Sequence, residues 1–175
     1  MIVRSRLCLS RKPHGNVRVK TWLRTPNAAV SNRDFALFDD EGELGFAVQS
    51  WVLVDAKQRT IVNMKKIPPL WELPVPKPER TQLLKHISLP EMQMAEAWTI
   101  GADELDLNGH LNNVRYIERA EKYAPEGALN LDVIFDRECF AGEQLTLHAS
   151  DGFVCGRKDD GSFSFRAHFY GGEPV

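Results

Sequence analysis

The 175-residue chain is 43% hydrophobic and 26% charged, with a formal net charge of −2. This fits one large globular domain or two small ones sharing a core, and without a Lys/Arg block no electrostatic grip on nucleic acid is expected. No apolar run approaches the roughly 20 residues of a membrane span, no apolar segment follows the basic start as a secretory signal requires, and Cys8, Cys139 and Cys155 form neither a CxxC pair nor an even framework, so a reduced, cytoplasmic protein is expected.

The first third reads as strands. Residues 17–23 alternate apolar and polar side chains, as a half-buried strand does. Residues 33–38, the turn-rich Asp39-Asp40-Glu41-Gly42 and the long run 43–54 predict a hairpin, and the shorter run 60–63 closes the same sheet. Pro68, Pro69, Pro74, Pro76 and Pro78 remove backbone donors and disfavour helix in the residues before them. They predict an extended linker over 67–79, between a β-rich first part, 1–66, and a second part, 80–175.

The second part follows a different plan. Residues 94–100 predict a strand, and 106–113 are polar and irregular. Leu111, Val114, Ile117, Ala120 and Ala124 mark one face of a helix, capped by Asn112 or Asn113 and ended by Pro125 and Gly127. Strands follow at 129–140, 144–149, 153–157 and 162–170, with Asp159-Asp160-Gly161 as the last turn. One strand, one helix and four antiparallel strands make an α+β layout.

The densest polar cluster, Asp106-Leu107-Asn108-Gly109-His110-Leu111-Asn112-Asn113, stands just before the helix. A helix start offers unpaired N–H donors and positive potential, which can polarise a carbonyl or hold an oxyanion. If the segment is extended, Asp106, Asn108 and His110 point the same way, and the carboxylate and amide can fix the imidazole. Asn, Asp and Gly before a helix are also ordinary capping and turn chemistry, and composition alone favours that reading.

Asp106 through Asn113, continued by Val114-Arg115-Tyr116-Ile117, resembles the D-x-N-x-H-[VL]-N-N-x-x-Y-[IL] stretch of plant and bacterial acyl-acyl-carrier-protein thioesterases. Phe135-Asp136-Arg137-Glu138-Cys139 resembles that family's Y-R-R-E-C stretch. Thr21-Trp22, Arg33-Asp34-Phe35 (with Asn32 in place of a first Arg) and Ser50-Trp51-Val52 resemble further segments in the same order. The resemblance implies a hotdog fold, an antiparallel sheet wrapped around a long central helix, in tandem. By it, 80–175 is a full second unit carrying the catalytic residues. The first unit, 1–66, is N-terminally incomplete: its opening strand and helix belong before Met1.

The same resemblance implies a catalytic set of Asp106, Asn108, His110 and Glu138. Glu138 and His110 activate or position water, Asn108 orients the reacting groups, and Asp106 either positions its neighbours or attacks the thioester directly. Cys139, Asn112 and Asn113 stand second. In a continuous strand Glu138 and Cys139 face opposite ways, Cys139 with Leu131, Val133 and Phe135 on the packed side and Glu138 with Asp132 and Asp136. The implied activity is release of free fatty acid from acyl carrier protein in fatty acid biosynthesis, with no cofactor or metal and with room for a homodimer. Arg115, Arg119 and Lys122 could offer the acidic carrier a basic stripe, although pairing of Glu118 with Lys122 on a solvated edge is the plainer reading. Trp22, Trp51, Trp71 and Trp98 could line an acyl tunnel, but core packing is their default role. Rival expectations are a coenzyme A thioesterase or hydratase of the same fold, or an acyl-binding remnant without catalysis.

Overall fold

The computed structural model describes residues 1–24, 28–55, 57–58, 60–67 and 81–171. The linker expected over 67–79 therefore lies, apart from Ile67, outside the described residues, as does Trp71. The chain divides into two compact units, Met1–Leu84 and Lys85–Gly172.

The first unit holds four antiparallel strands: β1 (Ile2–Leu9), β2 (Arg18–Leu23), β3 (Ser31–Asp39) and β4 (Gly42–Trp51), in the order β2-β3-β4-β1. Among its described residues it has no α-helix. The β3–β4 hairpin forms where the turn residues place it. Its corner is the buried Asp39, whose carboxylate accepts from both terminal nitrogens of Arg11 and from the His14 and Glu41 N–H groups at 2.9 Å each. The Arg11 hydrogen bond outweighs burial and holds Asp39 well below the usual carboxylate range. A second buried pair joins Arg24 to Asp34 through two bonds of 2.6 and 2.8 Å.

Two features of this unit depart from the sequence reading. β1 escapes the alternation test because Arg4 and Arg6 interrupt the face that ends in the buried Cys8; pairing with β4, not a clean apolar stripe, makes it a strand. The run 60–63 supplies only a single bridge, Val54 to Ile61.

In the second unit, β5 (Gln93–Thr99) leads into a 3₁₀ turn (Ala102–Glu104) and α1 (Asn113–Glu121). β6 (Asn130–Phe135), β7 (Gln144–Ser150), β8 (Phe153–Arg157) and β9 (Phe163–Tyr170) follow. The sheet order is β6-β9-β8-β7-β5, all antiparallel. The helix lies against the sheet through Tyr116, whose ring meets Phe165 at 5.2 Å, Phe135 at 5.7 Å and Trp98 at 6.1 Å between centroids. Gly156 makes room for Phe165, since a Cβ there would stand 2.7 Å from the ring.

The helix is shorter than expected, nine residues, and ends at Glu121; Pro125 disfavours helix at Ala124, and the chain turns at Lys122 and Tyr123. Its buried face is also different. Residues three apart drift by about 60° around a helix that turns about 100° per residue. Val114 consequently lies off the core side, 55% exposed, while Tyr116 and Ala120 are buried. On the outer side Glu118 pairs with Arg115 at 2.7 Å, rather than with Lys122, and Arg119 pairs with Glu96 at 2.9 Å. The strand expected over 129–140 stops at Phe135. It has no solvated face, because Asp132 and Ile134 are buried as well as Leu131 and Val133. Glu138 and Cys139 therefore lie beyond the strand, and face alternation does not separate them. Among the described residues, no helix is long and apolar enough to cross a membrane.

Phe165 is fully buried against the helix. Phe165→Ala should lower the unfolding free energy by roughly 3–5 kcal/mol, read as a reduced midpoint in urea denaturation.

Candidate active site

Asp106 organises the loop that enters the helix. Its backbone N–H donates to the His110 carbonyl at 2.7 Å, and its carbonyl accepts from the Gly109 N–H at 3.0 Å. The first bond closes only if the residue after the turn is left-handed, and Gly109 there has φ +78°. Within this turn Asp106 Oδ1 accepts from the N–H groups of Asn108 at 2.8 Å and His110 at 3.1 Å, and the Asn108 side-chain amide lies 3.4 Å from Oδ2. The segment is therefore a closed turn rather than extended chain. Asp106, Asn108 and His110 come together around one carboxylate, not by alternation along a strand. Burial pushes the Asp106 carboxyl upward, but the N–H donors and the nearby His110 outweigh it and leave it below its ordinary range.

The loop is tied on both sides. Leu105 and Leu111 form an antiparallel bridge. The Asn112 N–H donates to the Glu104 carbonyl at 3.0 Å, and Glu104 itself accepts from the Gly101 N–H at 2.8 Å and the Trp98 indole at 3.2 Å. Asn112 is the helix cap, its Oδ1 accepting from the Val114 N–H at 3.0 Å. The Arg115 N–H donates to the Asn112 carbonyl at 2.9 Å. Of the donors expected to polarise a substrate at the helix start, Val114 and Arg115 are thus already engaged. Asn113 opens the helix and is half-buried.

The second half of the site comes from the segment that leaves β6. The Leu111 N–H donates to the Cys139 carbonyl at 2.8 Å, which joins this segment to the helix-entry loop. Beside that bond His110 Nδ1 lies 3.3 Å from Glu138 Oε1, with side chains 17% and 28% exposed. The Phe140 ring closes one side of the imidazole edge-on at 5.2 Å. His110 and Glu138 therefore meet within solvent's reach, although 28 positions separate them. An imidazole backed by a carboxylate is an arrangement that can take a proton from water and return it to a leaving group.

Cys139 points away from this pair. It is fully buried, and burial raises its thiol above the ordinary value despite the hydrogen bond from Tyr116 and the charge of Lys158. Its environment suits a small packed thiol, not a thiolate. Burial also raises the Tyr116 hydroxyl. Three residues that the sequence did not single out stand around the pair. Phe140 packs on His110, and Lys158 and Glu143 hold the segment that carries Glu138. None belongs to a motif with a chemical meaning of its own. Trp98 is a core residue at 1% exposure, whereas Trp22 and Trp51 are half-buried.

Because the Asp106 carboxylate accepts the Asn108 and His110 N–H groups more strongly when ionised, and its pKa is depressed, these bonds are at full strength above the ordinary aspartate range and weaken as pH falls through the lowered value. In an acid NMR titration the two amide protons should shift together, with one midpoint beneath that range. Asp106→Asn should abolish the step.

No protein-family profile matches the sequence, and no curated protein matches it. Solved structures do. An acyl-ACP thioesterase from Bacteroides thetaiotaomicron matches at TM-score 0.81 and 20% identity, over 96% of this chain and 74% of that one. The 12:0-ACP thioesterase from Umbellularia californica matches at 0.73 and 20%, over 97% and 73%. A MaoC-like dehydratase from Phytophthora capsici matches at 0.63 and 12%, over 100% and 72%. The chain has the hotdog fold, the architecture it shares with these thioesterases and with the dehydratase.

Proposed function

We propose that this chain is a thioester hydrolase that releases free fatty acid from acyl carrier protein, with the chemistry in the second unit. The observation that carries the reading is the approach of His110 Nδ1 to Glu138 Oε1 at 3.3 Å beside the turn that Asp106 organises. With Glu138 accepting from Nδ1, the imidazole lone pair falls on Nε2. Water attacks the thioester carbonyl carbon and gives its proton to that nitrogen. The tetrahedral intermediate then collapses, the carbon–sulfur bond breaks, and the departing thiolate takes the proton.

Asp106 is a positioning group in this scheme. Its Oδ1 accepts two backbone N–H bonds, which stabilise the carboxylate and make it a poor nucleophile. Asn108, exposed at the turn, orients the substrate carbonyl. The resemblance to solved acyl-ACP thioesterases supports the carrier-linked substrate and a place in fatty acid biosynthesis. The basic stripe on the helix adds little to that reading, because Arg115 is paired with Glu118 and Arg119 with Glu96.

Thiol release from acyl-carrier-protein and acyl-coenzyme A substrates of equal chain length tests the proposal. The carrier-linked substrate should be cleaved with the higher kcat/KM. His110→Ala and Glu138→Gln should each lose on the order of 10²–10⁴-fold in kcat, and Cys139→Ser should stay near wild type. Full activity of the Glu138→Gln variant would remove the acid from the mechanism, and preference for the coenzyme A substrate would reassign the substrate class.

A further inference from the structure

We infer that Lys158 is a positioning residue for Glu138, acting through a clamp it forms with Glu143. In its catalytic consequence the inference rests on the thioesterase reading above.

Glu138 sits in a segment without helix or strand, between the end of β6 at Phe135 and the start of β7 at Gln144. Regular structure therefore does not fix its distance from His110. The Leu111–Cys139 backbone bond holds one side of Glu138, and the Lys158 ammonium holds the segment on the other side at two points. Nζ donates to the Glu138 carbonyl at 3.1 Å and to Glu143 Oε1 at 3.1 Å, and it stands 2.9 Å from Glu143 Oε2. Glu143 then closes the segment on itself: its Oε2 accepts from the Phe140 N–H at 3.1 Å, and its own N–H donates to the Phe140 carbonyl at 3.2 Å. One cation thus holds the segment carrying Glu138, whose carboxylate meets His110, and Phe140, whose ring covers the same imidazole.

The anchor is firm. Lys158 lies at the β8–β9 turn, where its N–H donates to the Ser162 carbonyl at 2.9 Å and its carbonyl accepts from the Gly161 N–H at 2.8 Å. Its side chain is 19% exposed and that of Glu143 is 35% exposed, so the pair is less screened than a surface ion pair. Burial pushes the Glu143 carboxyl up, but the Lys158 and Phe140 hydrogen bonds outweigh this and hold it below its ordinary range, so it stays ionised at neutral pH. An ammonium with three donors suits this task, and a misplacement of about 1 Å at a catalytic group can cost as much as 10²-fold in rate.

The test compares Lys158→Met, which keeps an apolar stem without charge, with Lys158→Arg and Glu143→Gln. The His110 imidazole resonances, assigned with His110→Ala, report the geometry directly, and Glu138→Gln supplies the shift expected when the pair is broken. Lys158→Met should move the resonances toward those of Glu138→Gln, Glu143→Gln should move them the same way by less, and Lys158→Arg should stay near wild type. In turnover, Lys158→Met should lose roughly tenfold or more in kcat with KM within about twofold, with most of the loss recovered in Lys158→Arg. Unchanged His110 resonances in both Lys158→Met and Glu143→Gln overturn the inference, whether or not the wild-type chain hydrolyses thioesters. Absence of wild-type turnover overturns the thioesterase reading alone, and the resonances still decide the role of Lys158.

Discussion

The hydrogen bond from the Leu111 N–H to the Cys139 carbonyl, 2.8 Å long, is the constraint on which the candidate site depends. It joins two pieces of irregular chain, one entering the helix and one leaving β6, at the residues next to His110 and Glu138. Each piece is anchored elsewhere, the first by the Asp106 turn and the Glu104 carbonyl, the second by Lys158 and by the Asp136 and Arg137 N–H groups, which donate to the Ser164 carbonyl at 2.8 and 3.1 Å. The acid and the imidazole meet because the backbone beside them is already paired.

That arrangement divides the work between rigid and irregular chain. Strands and helix supply burial: Tyr116 from α1 packs on Phe165 from β9 and Phe135 from β6. The polar groups lie just beyond the ends of these elements, where side chains are not forced into a pleat or a helical stripe. Buried polar atoms need partners there, and the structure provides them locally, through Asp106, Glu104 and Glu143.

The sequence carries the elements whose signals are local. The turn at Asp39-Asp40-Glu41-Gly42 and the alternating strands around it are legible because a tight corner and a half-buried face each leave a short-range pattern. The cluster Asp106 to Asn113 is legible as a place, but its geometry is not, because an Asx-type turn and an extended strand share the same residues. The helix face is misread because three-residue spacing drifts, placing Val114 outward and leaving Tyr116 off the face assigned to the core. β1 is hidden by Arg4 and Arg6. Lys158 and Glu143 cannot be found from sequence at all, since a lone lysine and a lone glutamate 15 positions apart look like ordinary surface charge until the sheet closes.

The Asp106 turn is held mainly by contacts among five consecutive residues, whereas Glu138 reaches His110 only through pairings that span tens of positions. The segment around Glu138 belongs to no strand or helix, and irregular chain of this kind opens locally at a lower free energy than the strands it joins. Opening of that segment would part the acid from a ring that is still correctly presented, with the strands and the helix left in place.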